Sequence, residues 1–215
     1  MFDRRARVLC SPALDVLAGR LVRLGVRANL VTGSGWLVGV GACVAVSFRL
    51  WTLALTGWLL NRFLDGLDGA IARRQGATDF GAYLDVVADF SIYSGFIVAL
   101  AIARPEARLA SVVLLSAYYV SGVALLGGAA LLDRRNVVRS DERGVRFMGG
   151  LAEGLETIIA YVFILLAPTL TVDVEWIFAA MVLVTAIQRL TYVHHALRDT
   201  PALDVSHSRP RTTTS

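Results

Sequence analysis

Asp65, Asp68, Asp85 and Asp89 are the side chains of this sequence best able to do chemistry. They fall in two strings, Asp65-Gly66-Leu67-Asp68-Gly69-Ala70-Ile71-Ala72-Arg73 and, after seven residues, Gly81-Ala82-Tyr83-Leu84-Asp85-Val86-Val87-Ala88-Asp89. Residues three or four apart on a helix project from one face on adjacent turns. Each pair therefore presents two carboxylates together, and two facing helices would gather four around one small volume. Both strings lie in or beside apolar runs, where an unpaired carboxylate costs about 2.5–3.5 kcal/mol. Arg62, Arg73 and Arg74 stand against five acids, counting Asp79, and this deficit of positive charge calls for metal. Hard cations such as Mg²⁺ and Mn²⁺ take oxygen ligands, and Mg²⁺ is commonly shared between carboxylates and substrate phosphates. Four carboxylates suffice for two such ions, a recurrent arrangement for displacement at phosphorus. Gly66, Gly69, Ala72, Gly81 and Ala88 remove bulk around the acids. Small residues let membrane helices approach closely, and the same clearance leaves room for a diphosphate. Arg73 can meet a phosphate oxygen with a bidentate fork.

The elements that must position these acids read as membrane spans. The chain has 215 residues, 56% hydrophobic and 18% charged, with a mean hydropathy of +0.62. Soluble domains are nearer half apolar and a quarter charged. Ala28 to Phe48 and Leu109 to Leu132 carry no charge, and each is long enough for a hydrocarbon core of roughly 30 Å. The net charge of +4 comes from arginine alone. These arginines flank the apolar runs rather than forming one basic domain, which points to membrane orientation and away from nucleic acid. Asp15, Arg20, Arg23 and Arg27 break the first apolar run, so the N-terminus does not read as a cleaved signal peptide. Cys10 and Cys43 lie far apart and read as small hydrophobes.

The pattern predicts an all-α integral membrane protein with six transmembrane helices, at about 29–48, 50–74, 80–103, 108–132, 151–168 and 174–197. Residues 1–27 read as an amphipathic juxtamembrane helix lying on the membrane surface, with Leu14, Leu17, Leu21 and Leu24 at helical spacing. Residues 28–198 form the six-helix domain, and 199–215 a polar tail expected to be disordered. The second span is polar at its end and the third at its beginning, so the four aspartates share one membrane face. Segments on that face carry sixteen arginines, including Arg73, Arg74 and Arg134, whereas the opposite loops carry only Arg49, Arg104 and Arg108. The asymmetry places both termini and the acids on the cytoplasmic side.

The string D-x-x-D-G-x-x-A-R followed by G-x-x-x-D-x-x-x-D resembles the signature of the CDP-alcohol phosphotransferases, with Asp65, Asp68, Gly69, Ala72, Arg73, Gly81, Asp85 and Asp89 filling each fixed position. The resemblance implies a bacterial inner-membrane enzyme of phospholipid biosynthesis, working as a homodimer. Such an enzyme moves a phosphatidyl group from CDP-diacylglycerol to a polar alcohol and releases CMP. It implies two Mg²⁺ or Mn²⁺ ions bridged by Asp65 and Asp85, with Asp68 on one ion and Asp89 on the other. Asp89 would also be the base for the acceptor hydroxyl. Gly69, Arg73 and Thr78 would contact the cytidine diphosphate, as would Asn29 and Thr32, which resemble the family's Asn-x-x-Thr.

The acceptor is less legible. Arg134, Arg139 and Arg146 precede the fifth span, Glu153 begins it, and Arg189 lies within the sixth. They are candidates for holding a phosphorylated polyol such as glycerol 3-phosphate or inositol phosphate. Membrane orientation explains the loop arginines as well, and pairing with Glu153 or Glu156 would explain Arg189. Val86 and Phe90 depart from the Pro-x-Ala-Asp-Lys ending of the phosphatidylglycerophosphate synthase branch, and Leu60-Asn61-Arg62 suggests a less characterised bacterial branch. His194 and His195 read as interfacial, and Trp36, Trp51, Trp58 and Trp176 as lipid-facing or interfacial. Two other functions compete. One transfers a small head group from a CDP-alcohol to a lipid; the other is divalent-cation transport, since intramembrane acids often mark ion paths.

Overall fold

The computed structural model describes residues 14–135, 151–152 and 154–198, and all regular structure among them is helical. Helix α1 covers 14–23; then come α2 (Ala28–Ser47), α3 (Trp51–Gln75), α4 (Asp79–Ala103), α5 (Arg108–Arg134), α6 (Gly154–Leu166) and α7 (Thr171–Arg198). Helices α2 to α7 stand at the six expected positions, with boundaries within a few residues of those read from sequence. Helices α2, α4, α5 and α7 are long and apolar enough to cross a membrane, and the chain is a membrane protein. Helix α3 is long enough but carries Arg62, Asp65, Asp68, Arg73 and Arg74. Helix α6 has 13 residues, fewer than expected: it starts at Gly154, and at its other end Pro168 opens a 3₁₀ turn directly after Ala167.

Local chemistry sets the joints. Gly76 ends α3 at φ +90°, a conformation glycine adopts without a Cβ penalty. Two residues later Thr78 caps α4, its hydroxyl accepting from the Gly81 N–H at 3.1 Å. The α3–α4 connection is thus short, and the acids at the end of one helix meet those at the start of the next. Gln75 ties the base of this hairpin to the α1–α2 turn: its amide donates to the Val26 carbonyl at 2.6 Å, and its oxygen accepts from the Ala28 N–H at 3.2 Å.

Helix α2 lies along both α3 and α4 because its inner face is small. A Cβ on Gly35 would stand 3.2 Å from Leu64, and one on Gly57 of α3 would stand 3.0 Å from Ala42. Further along the bundle α5 packs on α7 and α6 on α3. The core joins these helices around Trp58, Phe96, Tyr161 and Phe178. The Phe96 and Tyr161 rings stack at 4.1 Å and 9°, and the Tyr161 hydroxyl donates to the Tyr93 carbonyl at 2.9 Å. Trp58, expected to face lipid, is fully buried among these aromatics. Its ring is held between the core and the Arg62 guanidinium, a surrounding that hydropathy cannot reveal. Trp36 and Trp176 are exposed as expected.

A second, smaller cluster lies at the site end. Leu14, Leu17, Ala18 and Leu21 of α1 pack on Leu67, Ala70 and Ile71 of α3 and Val31 of α2. The leucine periodicity read from sequence therefore faces the protein as well as its surroundings.

Candidate metal and nucleotide site

The acids occupy one stripe on each of two facing helices. Trp58, Asn61, Asp65 and Asp68 recur at three- and four-residue steps along α3, and Asp85, Asp89 and Ile92 along α4. One carboxylate oxygen each from Asp65, Asp68 and Asp85 lies within 4.8 Å of the others. Asp89 lines the same pocket, with Thr32, Gly35 and Trp36 from α2, but stands outside that tight trio. Its Oδ1 accepts instead from Arg62 Nη2 at 2.9 Å.

The donor set fits a hard divalent cation. Three carboxylates converge, and the Arg62 guanidinium reaches Asp65 only at 3.9 Å. Held without a cation, such a cluster carries mutual repulsion that neither helix can relieve. Asp68 is buried, Asp65 and Asp85 half-buried, so water screens the trio only in part. A cation held by these three carboxylates, which line the pocket, would leave coordination positions for substrate oxygens.

Of the expected nucleotide contacts, Thr32 lines this pocket, while Asn29, Gly69, Arg73 and Thr78 are not in its lining. A Cβ on Gly81 would meet Thr78 Oγ1 at 3.0 Å and Asn29 Oδ1 at 3.1 Å, so Asn29, Thr78 and Gly81 converge. Gly69 faces the returning side chain of Arg73, whose Nη1 would lie 3.6 Å from an added Cβ. Arg73 is exposed and stands 3.9 Å from Asp15 of α1. Thr32 lines the pocket and donates to the Ala28 carbonyl at 3.2 Å.

The acceptor candidates are more scattered. Arg189 sits between α7 and α5, where its Nη1 donates to Ser121 Oγ at 2.7 Å and to the Ser121 carbonyl at 3.1 Å. Arg134 is exposed at the end of α5. Neither lines the acidic pocket. Arg139, Arg146 and Glu153 lie outside the described residues. Tyr93 was not singled out by sequence, and Asn61 only within the Leu60-Asn61-Arg62 string; both hold Arg62 against Asp89. The signal available was an Asn-Arg pair inside an otherwise apolar helix, which is a functional flag by default.

This bundle, with paired acids on two adjoining helices, defines a metal-dependent membrane phosphotransferase. The sequence matches the CDP-alcohol phosphatidyltransferase family over residues 26–188, and the chain belongs to that family. It is 34% identical over 196 residues to inner membrane protein YnjF of Escherichia coli, covering 88% of this chain and 94% of that protein. It is 30% identical over 204 residues to a Mycobacterium tuberculosis protein described as probable phosphatidylglycerophosphate synthase, covering 89% and 91%. Among solved structures, the fold matches Mycobacterium tuberculosis phosphatidylinositol phosphate synthase with CDP-DAG bound, at a TM-score of 0.68 and 22% identity over 84% of this chain and 92% of that one. The same enzyme with manganese and citrate gives a TM-score of 0.68 at 23% identity, over 84% and 88%.

Proposed function

We propose that this enzyme transfers a phosphatidyl group from CDP-diacylglycerol to a hydroxyl of a phosphorylated polyol, such as glycerol 3-phosphate or inositol phosphate, releasing CMP. The observation that carries the reading is the pocket in which Asp65, Asp68 and Asp85 converge beside Asp89. These four residues hold the Mg²⁺ or Mn²⁺ ions, which when bound neutralise the diphosphate and stabilise the leaving nucleotide. Asp89 takes the proton of the acceptor hydroxyl, a contribution of roughly 10²–10⁴ in rate. Asn29, Thr32, Gly69, Arg73 and Thr78 hold the cytidine diphosphate, Gly69 by leaving its space to the Arg73 guanidinium. Arg134, Arg139, Arg146, Glu153 and Arg189 are the candidates for the acceptor's phosphate.

A lipid substrate is favoured by an apolar groove of about 230 Å³ between α2 and α4, lined by Val40, Val44, Gly95 and Val98 among others. The groove shares Trp36 and Ile92 with the acidic pocket, so an acyl chain in it would lie directly beside the reacting phosphate. Lipid tails are as apolar as the groove, so its effect is placement rather than affinity. The mycobacterial relatives, one described as a phosphatidylglycerophosphate synthase and one solved with CDP-DAG bound, support the same donor and a phosphorylated acceptor. Family membership sets the cation-transporter reading aside.

In the membrane, α2 to α7 make six spans. Residues 1–27 form the juxtamembrane segment, 28–198 the catalytic domain and 199–215 the tail. Both termini and the site face the cytoplasm of a bacterial inner membrane, supported by the arginine asymmetry and by the name of the Escherichia coli relative. The homodimer rests on the family resemblance alone. Purified enzyme with CDP-diacylglycerol and Mn²⁺, offered a panel of alcohols, should release CMP with a phosphorylated polyol. CMP release only from a small CDP-alcohol with a lipid hydroxyl as acceptor would overturn the assignment of the donor.

A further inference from the structure

Arg62 stands three residues before Asp65, and nothing in the transfer reaction as described above uses it. Its side chain is 8% exposed, unusual for an arginine in an apolar helix. Four of its five N–H groups are engaged. Nε and Nη2 donate to Asn61 Oδ1 at 2.9 and 2.7 Å, Nη1 donates to the Tyr93 hydroxyl at 2.8 Å, and Nη2 also donates to Asp89 Oδ1 at 2.9 Å. The guanidinium lies 4.9 Å from the Trp58 ring centre and 5.0 Å from that of Tyr93. Asn61 is fixed in turn by donating to the Gly35 carbonyl at 2.9 Å.

This arrangement removes the freedom a long side chain normally keeps. The guanidinium is locked by α3 and α4, with α2 holding Asn61, and it selects among the acids. Asp89 is at hydrogen-bond distance, whereas Asp65 is at 3.9 Å. It therefore leaves the convergent trio available to metal and restrains the remaining carboxylate.

We propose that Arg62 is a positioning residue for Asp89. By tying Oδ1 it fixes the carboxylate plane and leaves Oδ2 to meet the acceptor hydroxyl. The inference rests on reading Asp89 as the base. A lost charge-assisted hydrogen bond that orients a base should lower kcat by about tenfold to hundredfold.

The test uses the purified full chain with Mn²⁺, CDP-diacylglycerol and the acceptor that releases CMP, followed with radiolabelled donor so that residual rates are measurable. Arg62→Met should lose about tenfold to hundredfold in kcat, with the donor KM within about twofold and Mn²⁺ bound no more weakly. Arg62→Lys should recover part of the loss, because an ammonium can reach Asp89 but cannot also hold Asn61 and Tyr93. In an Asp89→Asn background, Arg62→Met should cost little more, since the group it orients is gone. If Arg62→Met does not fold, Tyr93→Phe removes one support only and should lower kcat a few-fold at constant donor KM. Full kcat in Arg62→Met, a loss that adds undiminished to that of Asp89→Asn, or full kcat in Tyr93→Phe where Arg62→Met does not fold, would overturn the proposal. Near-full activity in Asp89→Asn would overturn the base assignment instead, so the two failures are distinct.

Discussion

Gly39→Ala should slow this enzyme without touching its substrates. Gly39 lies on α2 outside the pocket lining, where α2 meets both α3 and α4. An added Cβ would stand 2.8 Å from Ile92 Cδ1 and 2.9 Å from Asn61 Nδ2. Ordinary contact begins near 3.4 Å, so Asn61 must retreat by about 0.5 Å. Asn61 and Ile92 are both buried, so overpacking there should cost about 1–3 kcal/mol of stability. The displacement passes from Asn61 to Arg62 and from Arg62 to Asp89, through hydrogen bonds of 2.7–2.9 Å. A misplacement of about 1 Å can cost 10² in rate, so half of that should lower kcat roughly tenfold, with little change in donor KM. Initial rates of CMP release and thermal unfolding in detergent measure the two effects. Gly41→Ala is the control, because its Cβ meets nothing within 4 Å on the same helix. Equal rates for the two variants, or kcat within about twofold of the parent for Gly39→Ala, would refute the chain of contacts from α2 to Asp89.

Other variants separate the parts of the account. Asp85→Asn removes one of the three convergent carboxylates and should weaken Mn²⁺ binding by about tenfold or more, read by titration calorimetry. Trp58→Ala opens a cavity under the Arg62 guanidinium and should cost about 3–5 kcal/mol of stability, read by unfolding in micelles. Gly95→Leu pushes a side chain into the apolar groove and should lower kcat with long-chain CDP-diacylglycerol roughly fivefold, with donor KM and CMP affinity little changed.

What the sequence could and could not reveal follows from which contacts are local. The pairs Asp65/Asp68 and Asp85/Asp89 were legible because helical spacing alone puts each on one face. Their meeting was legible because the polar end of one helix precedes the polar start of the next by only Gly76 to Thr78. The helix positions followed from unbroken apolar runs, and only α6 fell short, starting at Gly154 and ending before Pro168. Contacts made across the bundle were not legible. Hydropathy put Trp58 at the lipid, whereas partners from α4 and α6 enclose it. The same holds for Arg62, whose partners are its neighbour Asn61 together with Tyr93 and Asp89 on the next helix. Arg189 likewise has a partner that sequence did not suggest, Ser121 on α5, to which its Nη1 donates. In each case the side chain's chemistry was clear but at least one deciding partner lay 27 or more positions away.

The central proposal is that Asp89 acts as base within the metal site it builds with Asp65, Asp68 and Asp85. Its most direct test is CMP release from CDP-diacylglycerol by the parent and by Asp89→Asn, with Mn²⁺ present and after chelation. The account predicts CMP release by the parent that chelation abolishes and Mn²⁺ restores. Asp89→Asn should lose at least about a hundredfold in kcat while Asp65, Asp68 and Asp85 still hold Mn²⁺. Metal-independent release by the parent, or near-parent kcat in Asp89→Asn, would contradict it.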